Sequence, residues 1–258
     1  MTALSRIYTI ASNTVREAVR DKLMYAIFAV SVLMTFASVV ISTLSYVEGT
    51  RIMQDLALTT MRLFCVATAI LIGINLLHRE VDRRTIYTIL SKPISRSEFL
   101  LGKYAGLVVT TWLMLVCMGG VFGLVSFAAG APIHGGHLAA TAMLGVEMVV
   151  VVGVAILFSS FTTPMLAALF TSGIYVVGHL TQNLYHLSLA SDDEGVRQMG
   201  IWLYKLLPDL ELYNLSVEAV HGLPIPAADI WLPVAYALGY AGVLLFGASW
   251  LFERRDMR

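Results

Sequence analysis

Residues 80–103 read EVDRRTIYTILSKPISRSEFLLGK, and their reading decides how the rest of the chain is arranged. Eight charged residues, from Glu80 to Lys103, stand here between two long apolar runs, so the stretch cannot cross a bilayer. It does not read as a slack loop either. Ile86, Ile89 and Leu90 recur at helical spacing and place an apolar stripe along one face of a short helix. Pro93 ends that helix, because it has no N–H to donate and biases Lys92 away from the helical region. Ser95 and Glu98 then stand in S-x-x-E spacing, the pattern of a capping box. The expectation is helix, sharp turn, and a fresh helix that continues into the membrane: a basic elbow with a surface for something soluble to push on.

Working outward, the chain is too apolar for a soluble domain. It has 258 residues, 58% of them hydrophobic and 13% charged, with a mean hydropathy of +0.78; soluble domains carry about 25% charged residues. Formal net charge is zero, which argues against a nucleic-acid partner. Cys65 and Cys117 both fall inside apolar runs and read as small core residues, not a disulfide framework.

The fold class expected is an all-α integral membrane protein, one domain over 1–258, with six transmembrane helices. An amphipathic helix comes first: Ile7, Ile10, Ala11, Thr14, Val15 and Ala18 share a face, with Arg6, Arg16, Arg20 and Lys22 around them. It should lie in the membrane interface. A signal-peptide reading fails because the following apolar run is too long and no A-x-A site closes it. Spans are expected at about 23–44, 58–77, 104–129, 138–158, 164–184 and 230–252, each near the roughly 20 residues a bilayer requires. Arg62, near the outer end of the second, is expected to snorkel. Residues 185–229 form the long extramembrane excursion, apolar around Ile201–Tyr204 and broken at Pro208, Pro224 and Pro226. It is too short to span and should lie on or dip into the outer face.

Six spans put both termini on one side. Of the Lys and Arg residues, 13 fall on the side of the termini and the elbow, and four (Arg51, Arg62, Arg197 and Lys205) on the other. The excess places the termini and the elbow in the cytoplasm; the membrane expected is the plasma (inner) membrane.

The run from Arg84 to Lys103 resembles the cytosolic coupling segment of the type-2 ABC exporter permeases, a family that includes permeases linked to multicopper-enzyme maturation. Glu80, Thr85, Leu90, Pro93, Arg96, Gly102 and Lys103 match its pattern of an acidic residue, Gly-Thr, a Leu pair, Pro, Arg and Gly-Lys. Arg84 stands where many members carry glycine, so nothing here rests on a glycine-specific backbone shape. The match is local, and the span layout extends it to the whole chain. The resemblance implies a coupling helix between spans 2 and 3, with Glu80, Arg84, Thr85, Ile86, Ile89, Leu90, Ser91, Lys92, Pro93, Ser95 and Arg96 contacting an ABC ATPase. It also implies two ATPase copies, a homodimer or a related permease as the second half, and short re-entrant helices in the excursion, where Leu207-Pro208-Asp209 fits.

No G-x-x-x-x-G-K-[ST] loop is present. The chain is therefore expected to be no enzyme, with no catalytic residue and no cofactor of its own; ATP and Mg belong to the partner ATPase. Glu147 falls in the middle of the fourth span, where a charged group costs about 2.5–3.5 kcal/mol and is either functional or a packing carboxyl. Asn75, His179, Gln182 and Asn183 are polar positions in the second and fifth spans that either join helices or line a path. His134 and His137 form H-x-x-H in an outer turn. Two ligands without a third make a poor metal site, so they read as surface histidines and no metal is expected. Two other classes compete: a non-transporting membrane partner that regulates an ATPase, and an intramembrane hydrolase. The latter needs an acid or nucleophile paired with a histidine, and Glu147 and His179 are expected at different depths.

Overall fold

The computed structural model describes residues 2–45, 48–82, 95–191 and 193–254. The expected elbow helix and its coupling positions Arg84 to Pro93 lie outside the described residues. Nine helices occur among those that are described: α1 (Ala3–Val19), α2 (Lys22–Ser42), α3 (Gly49–Asp82), α4 (Arg96–Ala128), α5 (Gly135–Phe161), α6 (Pro164–Leu189), α7 (Glu194–Leu206), α8 (Ser216–His221) and α9 (Ala228–Arg254). A short 3-10 turn, Glu211–Tyr213, precedes α8. Helices α2, α3, α4, α5, α6 and α9 are long and apolar enough to cross a membrane, and no strand occurs among the described residues.

Local chemistry sets the helix starts. The Asp21 carboxylate accepts the Leu23 amide at 3.0 Å and opens α2. Pro164 occupies the first turn of α6, where its missing N–H costs nothing. At α4 the capping box is formed: the Ser95 hydroxyl accepts the Glu98 amide, and Glu98 Oε2 accepts the Ser95 amide, each at 3.2 Å.

The core is built around α5, which packs against α3, α4, α6, α8 and α9. Its inward residues, from Met143 and Leu144 through Val150 to Ile156, are at most 4% exposed. Helices α2, α6 and α9 leave most of their surface outward, as lipid-facing helices do.

Helix α1 does more than lie on a surface. It is seated on α4 through a seam of small residues, Gly102 and Gly106, four apart and so on one helix face. A Cβ on Gly106 would fall 2.6 Å from Thr14 Cβ and 2.8 Å from the Ala11 carbonyl oxygen. One on Gly102 would fall 2.7 Å from Ile10 Cβ. Arg6 adds a fork, its Nη2 and Nε donating to Glu98 Oε1 at 2.7 Å and Oε2 at 3.0 Å. That bond raises Arg6 further above its ordinary pKa. The end of α9 joins the same end of the bundle: Phe252 stacks on Phe99 with centroids 6.4 Å apart, and Arg96 Nη1 donates to the Phe252 carbonyl at 3.2 Å.

The far end is covered by residues 194–221. Helix α7 runs back along α6, and the chain from Pro208 to Asn214 docks on that helix. The Leu210 amide donates to the Gly178 carbonyl at 3.1 Å, and a Cβ on Gly178 would meet Leu210 Cγ at 2.8 Å. Several helices run past the expected spans, three of them with consequences for the polar residues. Helix α3 begins at Gly49, not near 58; α6 runs to Leu189, not 184; and α5 begins at Gly135. The last makes His137 a helix residue that is 1% exposed, its Nδ1 accepting the His134 amide at 3.2 Å. The reading of His137 as a surface histidine is thus corrected.

Candidate functional site

The boundary changes bring three charged or titratable side chains to one level. Counted from the far end, Arg62 lies 13 residues into α3, Glu147 12 residues into α5, and His179 10 residues back from the end of α6. At 1.5 Å per residue these depths are about 20, 18 and 15 Å. The side chains meet there. Arg62 Nε is 3.6 Å from Glu147 Oε2, and His179 Nε2 is 3.5 Å from Glu147 Oε1. Two expectations are corrected together: Arg62 does not snorkel to an outer surface, and Glu147 and His179 are not at separate depths.

The cluster is buried and under-satisfied. Glu147 is 0% exposed. Neither of its oxygens, nor Arg62 Nε, nor His179 Nε2, has a hydrogen-bond partner. Contacts of 3.5–3.6 Å are attractive electrostatically but too long for strong hydrogen bonds. A carboxylate in this position must be paired or neutralised, since an isolated buried charge is far costlier than a paired one.

The docked segment closes over the cluster from the far side. Arg62 Nη2 donates to Asn214 Oδ1 at 2.6 Å, and Asn214 Nδ2 donates to Glu211 Oε1 at 2.8 Å. Gln182, one turn beyond His179, donates through Nε2 to Asp209 Oδ2 at 2.9 Å. The Asp209 amide donates to the Tyr236 hydroxyl of α9 at 3.3 Å. Asp209 is 5% exposed, and its other oxygen has no partner. Beside this layer, the void lined by Val150, Val151, Tyr175, Pro208 and Leu210 is too tight for a water molecule.

Of the five polar span positions singled out in the sequence, the structure thus assembles Glu147, His179 and Gln182. Asn183 points outward from α6 and is exposed. Asn75 is half-buried on α3, 13 residues or about 20 Å beyond Arg62, and does not join them. Arg62, Asp209, Glu211 and Asn214 complete the cluster and were not foreseen. Among the described residues no group of His, Cys, Asp and Glu is arranged to hold a metal ion.

At the opposite end, the described part of the elbow is its two flanks. Helix α3 continues through the backbone of Glu80 to Asp82, and Ser95 and Arg96 open α4. Arg96 is half-buried and tied to α9, so its guanidinium joins helices as well as marking the elbow. The cluster and the elbow are therefore linked through α3, whose one continuous helix carries Arg62 and ends at Asp82.

Comparison with known proteins gives one result at the level of families. The model described as ABC-2 family transporter protein matches residues 8–257, almost the entire chain. No curated protein matches.

Proposed function

We propose, from the premise that the chain belongs to the ABC-2 family of transporter proteins, that it is the membrane-spanning permease subunit of an ABC exporter. The observation that carries this reading is the family match over the full helical bundle, together with a coupling-type sequence between α3 and α4. The ATPase is a separate subunit, present in two copies, and it brings ATP and Mg. Two permease chains face each other, as a homodimer or with a related chain, in a plasma (inner) membrane. Closure of the ATPases pushes on residues 80–96, and α3 and α4 carry the push into the bilayer. Binding energy at the ATPases then shifts the population between inward- and outward-open states. The path runs beside α3, α5 and α6, where Glu147, His179 and Gln182 lie.

The coupling role is tested by Ile89→Asp, which puts a charge in the apolar stripe of the elbow. The permease should still insert and dimerise, while the ATPase no longer co-purifies or no longer responds in turnover. Intact complex and normal transport in this variant would reduce the elbow to a loop. Lys92→Glu is the better charge-reversal partner than Arg96→Glu, because losing the Arg96 bond to Phe252 disturbs the bundle itself.

Orientation follows from the charge distribution, sharpened by the burial of Arg62. Removing Arg62 from the extracytoplasmic count leaves three cations there against 13 on the elbow side. Cysteines at Asp193 and Ser97, introduced singly into a Cys117→Ser background, should label from opposite faces of intact cells. Same-side labelling would remove the six-span arrangement.

A further inference from the structure

The polar cluster holds more acid than base. Glu147, Asp209 and Glu211 stand against one permanent cation, Arg62, and His179 is the remaining group able to carry positive charge. Two of the three carboxylates are almost completely buried, and Glu147 directs both unpartnered oxygens at the unpartnered Arg62 Nε and His179 Nε2. Fully ionised, with His179 neutral, the cluster would carry a net charge of about –2 in a region with little water, which is strongly unfavourable. Something positive must make up the difference. Glu147 is sealed from solvent. A proton makes up the difference without opening the site.

We propose that the Arg62–Glu147–His179 cluster is a proton-binding site whose occupancy decides whether the segment 208–216 stays docked over the spans. Docking sets Asn214 on Arg62 and closes the segment over Glu147, so the docked state holds a proton within the Glu147–His179 pair. Undocking admits water, lets Glu147 ionise and releases the proton. The docked state therefore binds more protons than the undocked one. Docking is favoured at low pH and lost as pH rises, by up to about tenfold in the equilibrium per pH unit for the one proton released.

The groups around Glu147 are consistent with this role. From α3 it meets Arg62, with Cys65 one turn away on that helix, and from α6 it meets His179, with Tyr175 one turn before it. Asp209, Glu211 and Tyr213 approach from the docked segment, and Tyr236 on α9 reaches the cluster through Asp209. Tyr104 of α4 meets the opposite side of α5, donating to the Val149 carbonyl at 3.0 Å. Glu218 on α8 lies beside Ala219, which packs on Gly136, eleven residues or about 16 Å along α5 from Glu147. Among the described residues, Arg62 is thus the one permanent cation facing the carboxylate.

Hydrogen–deuterium exchange on the full chain in lipid nanodiscs tests the proposal through residues 208–216, above all the Leu210 amide bonded to Gly178. After correction for the intrinsic pH dependence of exchange, protection in the wild type should fall by at least about tenfold between about pH 6 and pH 8. Glu147→Gln removes the proton-binding carboxyl and should reduce that fall to about twofold or less. Glu147→Asp keeps a carboxyl and should keep the pH dependence, which guards against a loss that comes only from poor folding. A flat wild-type profile, or a Glu147→Gln variant that keeps the wild-type slope, would overturn the proposal. The readout needs neither ATPase nor substrate, so its failure is separate from failure of the transport reading.

Discussion

Arg62→Ala is expected to lower the stability of the embedded protein by about 3–5 kcal/mol at about pH 8, where ionised Glu147 loses its partner in a buried ion pair, and by less at about pH 6, where a proton neutralises it. The reason lies in what is left behind. Glu147 is 0% exposed, and Arg62 is its permanent counter-charge, at 3.6 Å. The same deletion also removes the donor to Asn214, so the docked segment loses its tie to α3. Thermal or denaturant unfolding in nanodiscs should register the loss directly. The double variant Arg62→Ala, Glu147→Gln should recover most of it, because the amide is neutral at every pH. Strict additivity of the two changes would mean that the two side chains are not coupled.

Gly106→Val is expected to unseat α1. The new Cβ would be 2.8 Å from a backbone oxygen of Ala11 and 2.6 Å from Thr14 Cβ, and neither can move without moving the helix. Overpacking of this kind costs about 1–3 kcal/mol, or more where backbone is the obstacle. Once displaced, α1 also loses the fork between Arg6 and Glu98 and the contact of Glu17 with Lys103, 3.8 Å apart. Tryptic cleavage at Arg16 and Arg20 in nanodiscs should rise sharply. Gly120→Val is the control on the same helix, since a Cβ there meets nothing within 4 Å. Equal cleavage of the two variants would mean that α1 is held by something other than the glycine seam.

The bundle was legible in the sequence because long uncharged runs have one stable answer in a bilayer. The Ser95–Glu98 cap was legible because its chemistry is local. The buried cluster was not, and the cause is specific. An apolar-run criterion starts the second span after Asp55 and so leaves Arg62 near an edge. Helical hydrogen bonding does not stop at a charge, and α3 continues back to Gly49. A sign of this was present: Met53, Ala57, Met61 and Cys65 continue one stripe at spacing four, and all are at most 1% exposed. Ending the fifth span at 184 misplaced His179 in the same way. The Arg6–Glu98 and Arg62–Asn214 pairs join residues 92 and 152 positions apart. No spacing rule in a single chain matches such partners; only the packed fold does.

The seat of α1 on α4 has a consequence for how the protein is made. Residues 3–19 leave the ribosome long before residues 96–106 exist, so α1 spends the synthesis of α2 and α3 without its partner. Its amphipathic stripe gives it somewhere to wait, lying along the bilayer surface with Arg6, Arg16 and Arg20 among the lipid headgroups. Docking then comes when α4 inserts and presents Gly102, Gly106 and Glu98 together. Assembly of the first half of the bundle is complete when α4 arrives, not when α2 does, and a ribosome stalled between the two would expose a chain whose first helix is still held by lipid alone.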